Sequence, residues 1–481
     1  MSTNHNRHPA RRQTRPRASL ALLFLALAGC ASGPDYRAPA TPKTAAGAFV
    51  SQPVKTNSAA SLPAHWWKLY DDSVLDSVVK EAISANTDVR LALATLDRAR
   101  AIYTEARSGL YPSTNASGGA GYGRDQTTWT GTGQAPKQWS YSGGLDVSYE
   151  LDLFGRVRRD IEAARDDTDA VAAAYDAARV VVVAETTRAY ADACTYGESV
   201  DVARSSIELA KHSFDLISKQ EKAGSASRLD VERAAGTLAQ TEAALPPLQG
   251  QRDSALFELA ALMGRTPSQV PEAARACVKA PELAGVLPVG DGTALLRRRP
   301  DVRQAERQLA ADTARIGVAV ADLYPRVSLG ASGNYLRNDY LKGNRTFSFS
   351  IGPLISWSFP NTMVARSRIA QAKAQGAASL ASFDGTVLNA LKESEQSLSA
   401  YGAAMEQRQA LIEARNRAEN AFQLADQRYR AGSISYLDVI VAQTSLIDAK
   451  SQVAAADQRV GSTRVGVFKA LGGGWEQANM Q

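Results

Sequence analysis

Ala431-Gly432-Ser433-Ile434-Ser435-Tyr436-Leu437-Asp438-Val439 has an echo 208 positions earlier, Ala223-Gly224-Ser225-Ala226-Ser227-Arg228-Leu229-Asp230-Val231. Ala-rich segments with helical spacing run into and out of both copies. A glycine ends a helix by taking a left-handed conformation, so each Ala-Gly-Ser reads as the turn of a long helical hairpin with its tip near 223–231 or 431–439. Asp88-Val89-Arg90 and Leu110-Tyr111-Pro112 also recur, as Asp301-Val302-Arg303 and Leu323-Tyr324-Pro325, at an offset of 213. The fall from 213 to 208 places a five-residue difference in the strand-and-loop region that follows Leu-Tyr-Pro and precedes the tips. A period of roughly two hundred residues is too long for a solenoid unit and reads as two fused copies of one structural half.

Residues 1–29 stand apart from the repeats. Arg7, Arg11, Arg12, Arg15 and Arg17 form a basic leader, Leu20 opens a nine-residue apolar run to Ala28, and Leu27-Ala28-Gly29-Cys30 closes it. A span needs roughly 20 apolar residues, so the segment reads as a cleaved signal. Its closing tetrapeptide resembles a bacterial lipobox, which implies that Cys30 is diacylated and begins the mature chain. Ala31 rather than Asp in the next position implies sorting to the outer membrane. Without the five leader arginines, 55 Lys plus Arg against 49 Asp plus Glu becomes 50 against 49. A near-neutral chain offers no electrostatic case for nucleic acid.

The remaining cysteines are Cys194, inside a helical segment, and Cys277, in the connection between the repeats. A disulfide between them is chemically open in an oxidising compartment, but lone cysteines without motif spacing read as packed thiols. They suggest no metal site, and nothing in the chain points to a cofactor.

Residues 30–63 are rich in Ala, Pro, Ser and Thr and read as an extended, acylated tether. The first repeat spans 64–264. Trp66-Trp67 opens a helical pattern through Leu75, Val79 and Ile83, and a second helix runs over 86–110. The period then changes to two. Trp139, Tyr141, Leu145, Val147, Tyr149, Leu151 and Leu153 alternate with polar residues, which marks a strand with one apolar and one wet face. With a partner of small residues over 113–122, two strands occupy 113–153. The second repeat, 301–471, repeats the pattern over 327–359, where Phe347, Phe349, Ile351, Ile355, Trp357 and Phe359 alternate with serines and Gly352.

Four such strands per chain suit a membrane, which needs roughly 9–11 residues per strand. A sheet in lipid must close, and about eight strands is the practical minimum. One chain cannot close a barrel. Three chains give a 12-stranded barrel and are the preferred solution, with a two-chain, eight-stranded barrel as the rival.

Beyond each second strand a helical period returns, over 156–222 and 364–429, with partners over 229–264 and 437–471. A helix of about 67 residues reaches about 100 Å and persists only against other helices. Neighbouring hairpins could form the staves of a tube. The Pro-rich connection 265–300, the first helices and the tail 472–481 are expected to form a belt around it.

The lipobox, Gly33-Pro34-Asp35-Tyr36, Trp66-Trp67, the duplicated Leu-Tyr-Pro and the duplicated Gly-x-x-x-x-Leu-Asp-Val tips together resemble the TolC-like outer-membrane efflux proteins, in their lipidated NodT-type branch. The resemblance covers the whole mature chain. It implies a fold that is mainly α with transmembrane β: a homotrimeric outer-membrane β-barrel continuous with a long periplasmic α-helical barrel. It implies, as partners, outer-membrane lipid, a periplasmic adaptor (a membrane fusion protein) meeting the tips at Ala223, Gly224, Ser225, Ala431, Gly432 and Ser433, and an inner-membrane pump of the resistance-nodulation-division (RND) class. It implies an iris-like periplasmic gate near Asp438, Asp230, Tyr429, Arg228 and Tyr436. By position, Asp438 matches a constriction carboxylate, and Tyr429 with Asp230 a hydrogen-bonded pair that holds the closed state. The chain departs from that pattern at Val441, where a second ring carboxylate is common, and at Ile434, where some members carry a gate arginine. Arg228 is then a substitute latch.

From the residues alone, a threefold ring of tip carboxylates would focus field in a narrow opening and favour cations. The alternative is that Asp438 and Asp230 merely start the returning helices, where a carboxylate suits the dipole. Catalysis has little support. The histidines are His5, His8, His65 and His212, no HExxH, Walker loop or nucleophile elbow is present, and Asp71-Asp72 and Asp166-Asp167 read as solvated acids. The expected role is a passive exit duct for drugs or other small molecules. Its rivals are the exit duct of a type I protein secretion system and a non-conducting envelope lipoprotein.

Overall fold

A computed structural model describes residues 32–475, apart from 41–42, 52, 54–55, 58–59, 61, 127–128 and 284. The expected leader of 1–29, the expected lipidation site Cys30 and residues 476–481 lie outside the described residues. Short strand β1, Thr56–Asn57, precedes helices α1, Ser73–Ala85, and α2, Thr87–Ser108. Strands β2, Ser113–Gly123, and β3, Gln138–Leu151, lead into the hairpin of α3, Arg156–Lys222, with α4, Arg228–Ala243, and α5, Leu245–Leu262. A connection holding α6, Glu272–Arg275, β4, Leu287–Pro288, and α7, Gly292–Arg298, follows. The order then recurs as α8, Pro300–Ala321, β5, Arg326–Arg337, β6, Phe347–Ser356, α9, Met363–Arg430, and α10, Tyr436–Ala470. The break between α4 and α5 falls where Pro246 and Pro247 enter the first turn of α5, a place that needs no amide donor.

The chain divides into two compact units. The first, residues up to Arg37 with Arg100–Asp167 and Leu309–Ser379, contains the main sheet, ordered β2-β3-β5-β6 and antiparallel throughout. Its register places Tyr122 opposite Trp139, Val147 opposite Ala331 and Ala331 opposite Ile351, so most of the large apolar side chains share one face, Leu336 and Leu354 excepted. Serines take the other, and Ser332 and Ser350 bond across it at 2.9 Å. The apolar face is bare within one chain, with Phe349 76% and Ile351 79% exposed, and among the described residues both edge strands lack a second partner.

The segment after Cys30 docks firmly in this unit. Ser32 donates from its amide and its hydroxyl to the Phe154 carbonyl, at 3.1 and 2.8 Å. Gly33 has φ 89° and sits so close to Gly317 that a Cβ would lie 2.5 Å from the Gly317 Cα. Arg159, buried, binds Asp35 at 2.5 Å and Glu162 at 2.7 Å.

In the second unit, Ala38–Ala99 with Thr168–Gln308 and Leu380–Gln481, the core gathers around Trp66, which stacks on Phe468 with centroids 4.3 Å apart. Three expectations change here. Trp66–Tyr70 is a separate 3-10 turn, ended by Asp71 at φ 49°, because Asp72 caps a new helix by accepting from the amides of Val74 and Leu75. The predicted tether is anchored: Phe49 and Leu62 enter the core, and β1 pairs in parallel with β4. Cys194 and Cys277, expected as packed thiols, form a disulfide with Cα atoms 4.8 Å apart, tying the connection to α3.

Candidate functional site at the hairpin tips

Both tips follow from the same local rule. Gly224 and Gly432 have φ of 77° and 73°, which an L side chain resists. They let the chain reverse with Ser225 donating to the Gln220 carbonyl at 2.8 Å and Ser433 donating to the Arg428 carbonyl at 2.9 Å. These bonds satisfy the last carbonyls of α3 and α9 and close each helix. The returning helices are then capped by serines. The Ser227 hydroxyl donates to Asp230 at 2.6 Å, and Ser435 donates to Asp438 from both its hydroxyl, at 2.7 Å, and its amide, at 3.0 Å. Both tip carboxylates therefore serve the start of a helix, whatever else they do. Ala223, Gly224, Ser225, Ala431, Gly432 and Ser433 are all exposed at the turns.

Beneath the turns lies a small core of its own, in which Ile217, Val231, Ala234, Tyr436 and Val439 are buried. Tyr436 is held by its hydroxyl, which donates to the Ser213 carbonyl at 3.4 Å, and by the Tyr429 ring, tilted against it at 5.4 Å. Burial, reinforced by Tyr429 and the negative charge of Asp230, pushes the Tyr436 phenol up to about 12. The Tyr429 phenol is raised too, by burial and then by Asp230, against the opposing effect of its bond to Gln220.

The partner implied for Tyr429 is not the one found. Its hydroxyl donates to the side-chain carbonyl of Gln220, while Asp230 is engaged by Ser227 and lies 3.5 Å from Arg233. Asp230 stays near enough to both tyrosines to act on them through its charge. Arg228 makes no ion pair across the tips of its own chain among the described residues. It pairs with Glu232 one turn along its own helix, at 2.7 Å, with both side chains mostly exposed. Asp438 and Val441 are exposed, and Ile434 is partly covered.

Sequence reasoning missed Gln220, Ser213 and Gln443. Ser213 and Gln220 are seven residues apart, two turns of α3, and so share a face. Buried Gln443 accepts from the Ser213 hydroxyl at 2.7 Å. The signal available was a glutamine at an otherwise apolar core position of α10. Among the described residues no cluster of His, Cys, Asp or Glu could hold a metal ion, and no helix is long and apolar enough to cross a membrane.

The profile of the family described as "Outer membrane efflux protein" matches residues 78–265 and 293–473. Nodulation protein T of Rhizobium leguminosarum bv. viciae is 31% identical over 463 residues, 95% of this chain and 94% of that protein. Outer membrane protein OprJ of Pseudomonas aeruginosa is 30% identical over 473 residues, 95% of this chain and 96% of that protein. The solved structure of the outer-membrane channel OprN superposes with a TM-score of 0.84 at 34% identity, covering 93% of this chain and all of that one.

Proposed function

We propose, for a chain that belongs to the outer membrane efflux protein family, that it is the outer-membrane exit duct of a tripartite efflux pump. The observation that carries the reading is the sheet β2-β3-β5-β6. Its apolar face is bare and both its edges are unpaired among the described residues, a combination that lipid and neighbouring copies of the same sheet would resolve together. Three chains supply twelve strands, and the two matched stretches of the family profile are two structural repeats, each giving two strands and one helical hairpin to the assembly.

Cys30 carries the acyl group. Ser32, two residues on, is bonded to Phe154 just past the end of β3, so a chain advancing at most about 3.6 Å per residue delivers the lipid to the membrane edge of the sheet. The connection 265–300, the first helices and the chain end form a belt. The tips meet a periplasmic adaptor linked to an RND transporter, and the core around Tyr436 and Tyr429 holds the opening. The chain performs no catalysis. Small molecules pass down a channel lined by the serine face of the sheet.

Native mass spectrometry of the mature, detergent-extracted protein tests this. A conducting trimer with diacylated Cys30 supports the duct. A monomer that survives gentle extraction would leave the sheet edges open and overturn it.

A further inference from the structure

The two ends of the main sheet treat cations differently. At the end that joins the helices, arginines are paired: Arg156 with Glu150 at 2.6 Å, Arg158 with Asp152 at 3.1 Å, and Arg326 and Arg368 both with Asp322, at 2.5 and 3.3 Å. At the opposite end, where β2 turns into β3 and β5 into β6, Lys137, Arg337, Lys342 and Arg345 are exposed. None of the four is ion-paired among the described residues.

Arg337 is placed most sharply. It lies opposite Tyr141 in the ladder, on the apolar face shared by Trp139, Tyr335 and Phe347. The two loops are braced against each other by the Trp129 and Tyr340 rings, 4.9 Å apart, and by Gln138 accepting from the Asp339 amide at 3.1 Å. Brace and register keep the cations in one neighbourhood.

A belt of Trp and Tyr marks the headgroup level of a bilayer, and a long cation beside it extends to the headgroups. An arginine on the lipid face, level with that belt and without a carboxylate, matches a phosphate, which guanidinium grips with two hydrogen bonds. We propose that this rim binds the phosphates of bisphosphorylated lipid A, the glycolipid of the outer leaflet, whose acyl chains lie along Phe349 and Ile351. The proposal rests on the reading that these strands cross the outer membrane.

The full-length protein in detergent is incubated with bisphosphorylated lipid A, monophosphorylated lipid A or phosphatidylglycerol, and bound lipid is read by native mass spectrometry. Bisphosphorylated lipid A should be retained best. Arg337→Gln should lower its retention about fivefold, and the triple change with Lys137→Gln and Arg345→Gln on the order of 100-fold, following the weight of one surface cation. Equal retention of phosphatidylglycerol by the unaltered protein overturns the proposal without any variant. So does a triple variant of unchanged oligomeric mass that keeps its lipid A. Conductance in planar bilayers separates the remaining cases. A conducting channel indifferent to lipid A sinks this proposal alone, whereas a protein that neither assembles nor conducts sinks the duct beneath it. Altered anion selectivity with unchanged lipid retention moves the cations to the pore mouth and also overturns the proposal.

Discussion

The Tyr429 hydroxyl donates to Gln220, joining the last turn of α9 to the last turn of α3. The bond links the two hairpins of one chain at their tips. Losing one such bond costs about 1 kcal/mol, so if the tips form the proposed gate, Tyr429→Phe or Gln220→Ala should shift the balance between closed and open tips about fivefold towards open. Because both changes break the same bond, the double variant should open little further. Open probability in planar bilayers reads this. Additive effects would mean that the two residues act separately.

Tyr436 gives the tip an alkaline limit. Its phenol is raised from its ordinary value to about 12, by burial first. The sign follows from where the proton is held. Below about 10 the phenol is protonated whether the tip is packed or unfolded, and its contribution is fully present. As pH rises towards the packed-state value that contribution is lost, because only the loosened tip ionises readily. Tyr436→Phe should remove a tyrosinate absorbance step near 12. Removal of a step at the ordinary phenol value would show that Tyr436 is not buried.

The bond between Cys194 and Cys277 closes a loop over a sequence separation of 83. Cross-links of this reach stabilise by about 4–5 kcal/mol in the chain-entropy account and by about 2–5 kcal/mol when native bridges are removed. Reduction, or Cys277→Ser, should therefore lower the melting temperature and expose the connection around α6 to protease. An unchanged melting curve under reductant would mean that the connection is held by its packing alone. Arg464, which donates to the Pro281 carbonyl at 3.0 Å, would be the first contact to examine then.

These predictions draw on features that the sequence displayed unevenly. The strands were legible because period-two alternation marks a sheet with one apolar face, and Trp139, Phe349 and Ile351 share that face. The tips were legible because Gly224 and Gly432 need φ values that few other residues accept. Pairings across the chain were not. Nothing local tells Tyr429 to choose Gln220, 209 residues away, over Asp230, since the small core beneath the turns, built from all four helices, decides it. Phe49 and Leu62 were lost in an Ala- and Pro-rich background, although a few apolar anchors suffice to dock a segment. The disulfide was equally hidden, because only the fold of the connection brings Cys277 to α3.

Asp438 offers the sharpest separation of structure from transport. Its carboxylate accepts from the Ser435 amide and hydroxyl, so its part in starting α10 is explained without any pore. Asn at this position keeps an oxygen for those bonds but removes the charge, whereas Ala removes both. If three copies ring the opening, Asp438→Asn should cut cation selectivity several-fold while the helix cap holds to within a few tenths of a kcal/mol, about the scale of exchanges among good capping side chains. Asp438→Ala should lose the same selectivity and also about 1 kcal/mol at the tip. Single-channel reversal potentials and melting curves, taken on both variants, separate the two roles. Selectivity untouched by Asn but a tip weakened by Ala would leave Asp438 as a cap and move the constriction elsewhere.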